Sequence, residues 1–206
     1  MKITDPGKCN ISKAKLAEME KFFREKYIEN GKLAGIQTLV ARKGKIVHFK
    51  STGYRDIENK KKIEKNTIFR IYSMTKPVTS VALMQLFEQG LFQLADPVSK
   101  FLPEFKNPKV FVSGSYPHFM TRPADREISI RDLLTHTAGL TYGFHYRTNI
   151  DHAYRKVWSG PKGDNTDFSF PPLNLDNFSK SISNLPLEFS PGDKWNYSVA
   201  TDICGR

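Results

Sequence analysis

Cysteine is scarce in this chain. There are two, Cys9 and Cys204, near opposite ends. Two such residues do not make a disulfide framework, and without a Cys-x-x-Cys pair they offer no familiar metal site. Long apolar runs are missing as well. No stretch approaches the roughly 18 residues that a spanning helix needs, so no membrane span is expected. The opening segment, MKITDPGKCNISK, has no apolar h-region, so no secretory leader is expected either. The expected compartment is the cytoplasm, or the periplasm if a leader is missing. Internal repeats and low-complexity segments are absent.

Acidic residues are outnumbered. The 206 residues carry 32 Lys and Arg against 21 Asp and Glu, a formal net charge of +11. Such a balance raises nucleic acid as a partner. The basic residues are scattered, however, and the densest run, Lys60-Lys61-Lys62 with Lys65, lies in a polar loop or hairpin segment. Neither zinc-finger spacing nor interleaved aromatic and basic residues appear. A solvated basic surface is the expectation, with no nucleic-acid partner. The apolar fraction of 39% allows a real core in one large or two small domains.

Periodicity predicts the elements. Residues 11–33 read as an amphipathic helix with Ser12 as N-cap, Leu16, Met19, Phe22, Phe23 and Tyr27 on one side, and Gly31 at its end. Residues 35–54 read as two strands around a tight turn at Arg42–Lys45, with Ile46, His48 and Lys50 alternating against Val47 and Phe49. NTIFRIYS (66–73) looks β-like and runs into a buried helix that stops at Gly90. Residues 103–127 read as an irregular connection. ISIRDLLTHTAGL (128–140) reads as a helix with Ser129 and Asp132 in a capping box and Gly139 closing it. From 141 to 190 only LNLDNFSKSISNLP (173–186) looks helical.

The stretch FRIYSMTKPVTS holds a local conflict. Ser-x-x-Lys alone is a weak signal and occurs three times, at Ser12/Lys15, Ser73/Lys76 and Ser159/Lys162. Only Ser73 joins a β-like run to an apolar helix. Pro77 is tolerated only in a first helical turn, so the helix starts close to Ser73 and Lys76 shares its face. A cation in a first turn opposes the helix dipole, and burying it costs more unless it loses its proton. Both effects favour a neutral lysine, which suits a base for a serine hydroxyl. The N-terminal N–H groups would suit a developing oxyanion. An N-capping serine with a snorkelling lysine fits the same residues.

Three segments decide between them. FRIYSMTK, ISIRDLLTHTAGL and PGDKWNYSVATDICG, in that order and rough spacing, resemble landmarks of the serine beta-lactamase and penicillin-binding-protein-like hydrolases, nearest to class C beta-lactamases, DD-peptidases and family VIII carboxylesterases. The resemblance implies an α/β (α+β) fold of the beta-lactamase/transpeptidase type. An antiparallel sheet flanked by helices would form one lobe, with about residues 1–98 in it, and a helical lobe would take about 99–206, with the site between the lobes. It implies Ser73 as the acyl-forming nucleophile, Lys76 as base or proton shuttle, and Tyr197 as the tyrosine working with Lys76. No metal or organic cofactor is implied. The partner would be a small-molecule ester, lactam or peptide.

Departures from the family pattern direct the choice of substrate. The beta-lactamase motif Tyr-x-Asn is Tyr197-Ser198-Val199 here, which favours carboxylic esters. The alternatives are a beta-lactamase or D-alanyl-D-alanine carboxypeptidase, and a non-catalytic binding or scaffold protein keeping the fold. The family's third motif, Lys/His-Thr/Ser-Gly on a downstream strand, has no counterpart after Tyr197. The chain is therefore expected to be the N-terminal portion of a protein near twice its length, ending before the C-terminal strands. Among other residues, His136 is expected to be structural, and His145 and His152 to lie in a tyrosine-rich loop. Asp193 and Trp195 are expected to shape the turn before Tyr197, Tyr72 to pack or line the pocket, and Asp202 to stabilise a helix or make a buried polar contact.

Overall fold

A computed structural model describes residues 2–159 and 174–206. The chain divides into two compact units, Met1–Arg70 and Ile71–Arg206. Among the described residues no helix is long and apolar enough to cross a membrane.

In the first unit, α1 (Lys13–Phe23) opens on Ser12, whose Oγ accepts from the Lys15 N–H at 3.3 Å. A wider turn, Arg24–Ile28, prolongs it. Strands β1 (Gly35–Arg42) and β2 (Lys45–Asp56) then form an antiparallel hairpin, and the short β3 (Lys61–Lys62) pairs along β2. Lys43 and Gly44 both have positive φ, 52° and 68°, the backbone that a two-residue hairpin turn demands. Both faces of β2 are covered near its start, since Val47 and His48 are each buried. His48 is admitted because both ring nitrogens have partners, Thr38 Oγ1 at 2.8 Å and Glu20 Oε1 at 3.4 Å.

In the second unit, a single 3-10 turn at Tyr72–Met74 leads into α2 (Thr75–Glu88). Pro77 falls at the third helical position, where its missing N–H costs nothing. Two expectations fail here. Residues 67–71 pair with no strand, so the β-like composition of NTIFRIYS reflects an apolar approach to the turn. And α2 has no buried residue: Val78 is 64% and Val81 61% exposed. Its apolar residues encircle the helix, and only the side carrying Leu83 and Phe87 meets the core.

Residues 103–127 are not an irregular connection. They hold a hairpin of β4 (Lys109–Ser115) and β5 (His118–Pro123). Pro and Gly dilute its pattern, but Val110 is buried, and a third segment joins β4: the Phe111 N–H donates to Leu187 O and the Leu187 N–H donates to Lys109 O. Helix α3 (Ile130–Thr135) carries the expected capping box. It closes at His136, φ 56°, and not at Gly139. Gly139 serves another purpose. Its φ is 81°, and a Cβ there would lie 2.3 Å from the Phe189 carbonyl oxygen, so only glycine allows this close approach.

Helix α4 (Asn149–Ser159) lies where no helix was expected, and His152 is on it. Thr148 accepts from the Asp151 N–H at 3.0 Å and starts the helix; Ile150, Ala153 and Tyr154 are buried. Helix α5 (Leu175–Ser183) is capped by Asn174 and buries Phe178 and Ile182. Helix α6 (Ala200–Cys204) packs against α2 and α3. These elements share one core with Leu133, Leu140, Tyr142, Val199 and Ile203. Of the third Ser-x-x-Lys pair, Lys162 lies outside the described residues.

Candidate active site

Buried polar bonds anchor the site's floor. Asp132, at the start of α3, accepts from Arg126 Nη1 and Nη2 at 2.6 and 2.9 Å, from the Ser129 N–H at 2.8 Å and from Thr137 Oγ1 at 3.0 Å. Burial alone would raise the Asp132 carboxyl; the bonds from Arg126 and Ser129 outweigh it and bring it down to about 2.

From this base, residues 136–141 run alongside the segment that leads to Tyr197. The bonds are Glu188 N–H to Gly139 O at 2.8 Å, Gly192 N–H to Thr137 O at 2.8 Å, Asn196 N–H to His136 O at 2.9 Å and Val199 N–H to Thr141 O at 3.3 Å. The buried Asn196 side chain adds a bond to Leu140 O at 2.9 Å. Tyr197 is therefore held by long-range backbone pairing. His145 Nε2 lies 2.8 Å from its carbonyl oxygen, and the His136 ring packs against its ring at 4.9 Å between centroids. Burial and the nearby Lys76 charge both lower the His136 imidazole below its ordinary value. Its Nδ1 faces Ser198 Oγ at 3.2 Å.

The other side of the site comes from the start of α2. Ile71 sits at φ −95°, ψ 2°, and Tyr72 has φ 45°, a conformation that a bulky residue adopts only at about 1 kcal/mol or more of strain. This sharp turn presents Ser73 just ahead of the helix. Met74 at the N-cap offers the first-turn N–H groups no side-chain acceptor.

The two halves meet at one bond. Tyr197 donates its hydroxyl hydrogen to Ser73 Oγ at 2.6 Å. Lys76 Nζ stands 5.0 Å from the centre of the Tyr197 ring and 5.3 Å from that of Tyr142. All three sequence-derived candidates, Ser73, Lys76 and Tyr197, thus come together. The direct partner of the lysine is a residue the sequence did not single out: Lys76 Nζ donates to Tyr142 Oη at 2.8 Å. Tyr142 is buried and stacks on Phe144 at 4.6 Å. Burial raises its phenol above the ordinary value, and Asp202 and Tyr197 reinforce the rise. Only its place in a Thr-Tyr-Gly stretch just after α3 could have flagged it.

Val199, at the position of the beta-lactamase asparagine, is fully buried in the core. Asp193 and Trp195 are exposed, with the Trp195 ring stacked near Tyr197 at 6.4 Å. Among the described residues no cluster of three or more His, Cys, Asp or Glu could hold a metal ion.

A serine, a tyrosine and a lysine in this arrangement fit the landmarks of one family. A family model described as Beta-lactamase matches residues 19–205, and the chain belongs to that family. It is 38% identical over 175 residues to Protein Rv1367c of Mycobacterium tuberculosis, covering 85% of this chain and 41% of that one. It is 31% identical over 201 residues to Esterase EstB of Burkholderia gladioli, covering 98% and 47%. Among solved structures it is similar to EstCE1, described as a hydrolase with promiscuous acyltransferase activity. That match has a TM-score of 0.68 and 30% identity, covering 92% of this chain and 45% of that one. The chain spans less than half the length of these relatives. The fold is of the beta-lactamase/transpeptidase type, and the family is one of serine hydrolases with esterase relatives.

Proposed function

We propose that the whole protein is a serine hydrolase that works through an acyl-enzyme on Ser73, with a carboxylic ester or related acyl compound as substrate. The observation that carries this reading is the 2.6 Å bond from Tyr197 to Ser73 Oγ, with Lys76 against the same tyrosine ring. Ser73 Oγ attacks the acyl carbon as its proton moves to the Tyr197 hydroxyl oxygen and the Tyr197 proton moves on to Lys76, which acts as the unprotonated amine. The ester C–O bond then breaks, and the departing alcohol takes that proton. Water repeats the sequence in reverse and frees the acid. Between the two tyrosines, Tyr197 is the one suited to carry the proton, because Tyr142 is pushed toward its neutral form by burial.

Esters are preferred over lactams because position 199 places a valine in the core and offers no amide to a substrate. The likeness to EstB and EstCE1 supports the same preference. The test is turnover of short p-nitrophenyl esters by the whole protein, set beside nitrocefin. Ester turnover that vanishes in Ser73→Ala is expected. Faster turnover of nitrocefin would return the reading to a beta-lactamase, and undiminished ester turnover in Ser73→Ala would remove the serine from the chemistry.

A further inference from the structure

Tyr142 is larger in consequence than its packing requires. Its ring fills the core beside Phe144 and Tyr197, which a phenylalanine would do as well. Its hydroxyl, in contrast, is aimed at the site. One lone pair receives an N–H of the Lys76 amino group at 2.8 Å, and its single hydrogen points toward Asp202 Oδ2 at 3.5 Å. Asp202 comes from α6, Lys76 from α2, and Tyr142 from the segment after α3. Three parts of the chain therefore converge on one phenol oxygen. A phenol has one proton, so where it points decides what the oxygen offers the lysine.

We propose that Tyr142 and Asp202 are positioning residues for Lys76: Asp202 holds the Tyr142 proton, and the freed Tyr142 lone pair anchors the lysine amino group against the Tyr197 ring. The proposal rests on the acyl-enzyme reading of Ser73. A lysine side chain without a fixed acceptor would sample several rotamers and lose its register with Tyr197. Burial raises the Asp202 carboxyl above the ordinary value, and the nearby Lys76 opposes that rise, so the two side chains act on each other across the Tyr142 oxygen. Tyr142 itself stays neutral, since burial and Asp202 both disfavour its phenolate. The two tyrosines, 5.4 Å apart between ring centres, then have separate tasks: one holds the lysine and the other contacts the nucleophile.

The test uses Tyr142→Phe and Asp202→Asn in the whole protein, with Ser73→Ala as reference. Asp202→Asn keeps the shape and removes the carboxylate charge that holds the Tyr142 proton. Each variant should lower kcat on a p-nitrophenyl ester by about tenfold or more while KM stays within about threefold. The double variant should lose no more than the worse single one, because both break the same chain of contacts. The charged and titratable groups facing Lys76 are His136 and Tyr142 from beyond α3, Tyr197 from the segment before α6, and Asp202 from α6. Removing the Asp202 charge disfavours the protonated forms of Lys76 and of the other three. Both limbs of the kcat/KM profile should therefore move to lower pH, by about half a unit or more.

Variants that keep the parent's kcat and pH profile, while Ser73→Ala is dead, would overturn the proposal and leave the acyl-enzyme reading standing. An active Ser73→Ala would bring down that reading and this proposal with it. Thermal unfolding checks each variant, and if Tyr142→Phe does not fold, Asp202→Asn alone decides by the same two readouts.

Discussion

Tyr197 donates to Ser73 Oγ at 2.6 Å, although 124 residues separate the two in sequence. The bond joins the turn before α2 to a segment held by pairing with residues 136–141. Whatever disturbs that pairing should disturb the chemistry proposed for Ser73.

Tyr197→Phe keeps the ring that packs on His136 and Tyr142 and removes only the hydroxyl. We expect ester turnover to fall by about 100-fold or more, with KM nearly unchanged and the melting temperature preserved. Steady-state kinetics on a p-nitrophenyl ester measure it. A KM effect with kcat intact would mean that the hydroxyl binds substrate and moves no proton.

Gly139→Ala should damage both stability and activity without touching the site. The new Cβ would meet the Phe189 carbonyl at 2.3 Å, at a φ of 81° that alanine resists. Relief requires the Glu188–Gly139 bond to give way, and with it the run leading to Tyr197. A loss of about 2 kcal/mol or more is expected in denaturant unfolding, together with lower kcat.

Asp132→Asn tests the floor. Its carboxyl is held at about 2 in the folded state, against an ordinary 3.8. A depressed carboxylate contributes stability that is complete above the unfolded value and is lost as pH falls toward the folded one. Arg126 is half-exposed and solvent screens the pair, so the contribution is about 1–2 kcal/mol. Unfolding at neutral pH should show that deficit in the variant. The gap to the parent should shrink between about pH 4 and pH 2; a gap independent of pH would assign the loss to packing.

Local signals were legible where one residue fixes the backbone. Pro77 placed the start of α2, Ser12 and the Ser129–Asp132 box placed two helix starts, and Lys43-Gly44 placed a hairpin turn. Signals that depend on distant partners were not. The β4–β5 hairpin is stabilised by Leu187, and α4 by a core it meets only after folding. The apolar character of α2 suggested burial, yet the described chain covers one side of it. At the site, the Ser73–Lys76 spacing and the motif around Tyr197 were visible as segments. The tyrosine that receives the lysine was not, because a lone aromatic in a loop has no periodicity to mark it. Its role appears only when Lys76, Tyr142 and Asp202 converge.

The central claim is that Ser73 is an activated nucleophile, and active-site labelling tests it most directly. The whole protein is treated with a fluorophosphonate and digested, and the modified peptide is located by mass spectrometry. We predict one adduct, on Ser73, forming far more slowly in Tyr197→Phe. An unmodified Ser73 in a preparation that turns over esters would contradict the account.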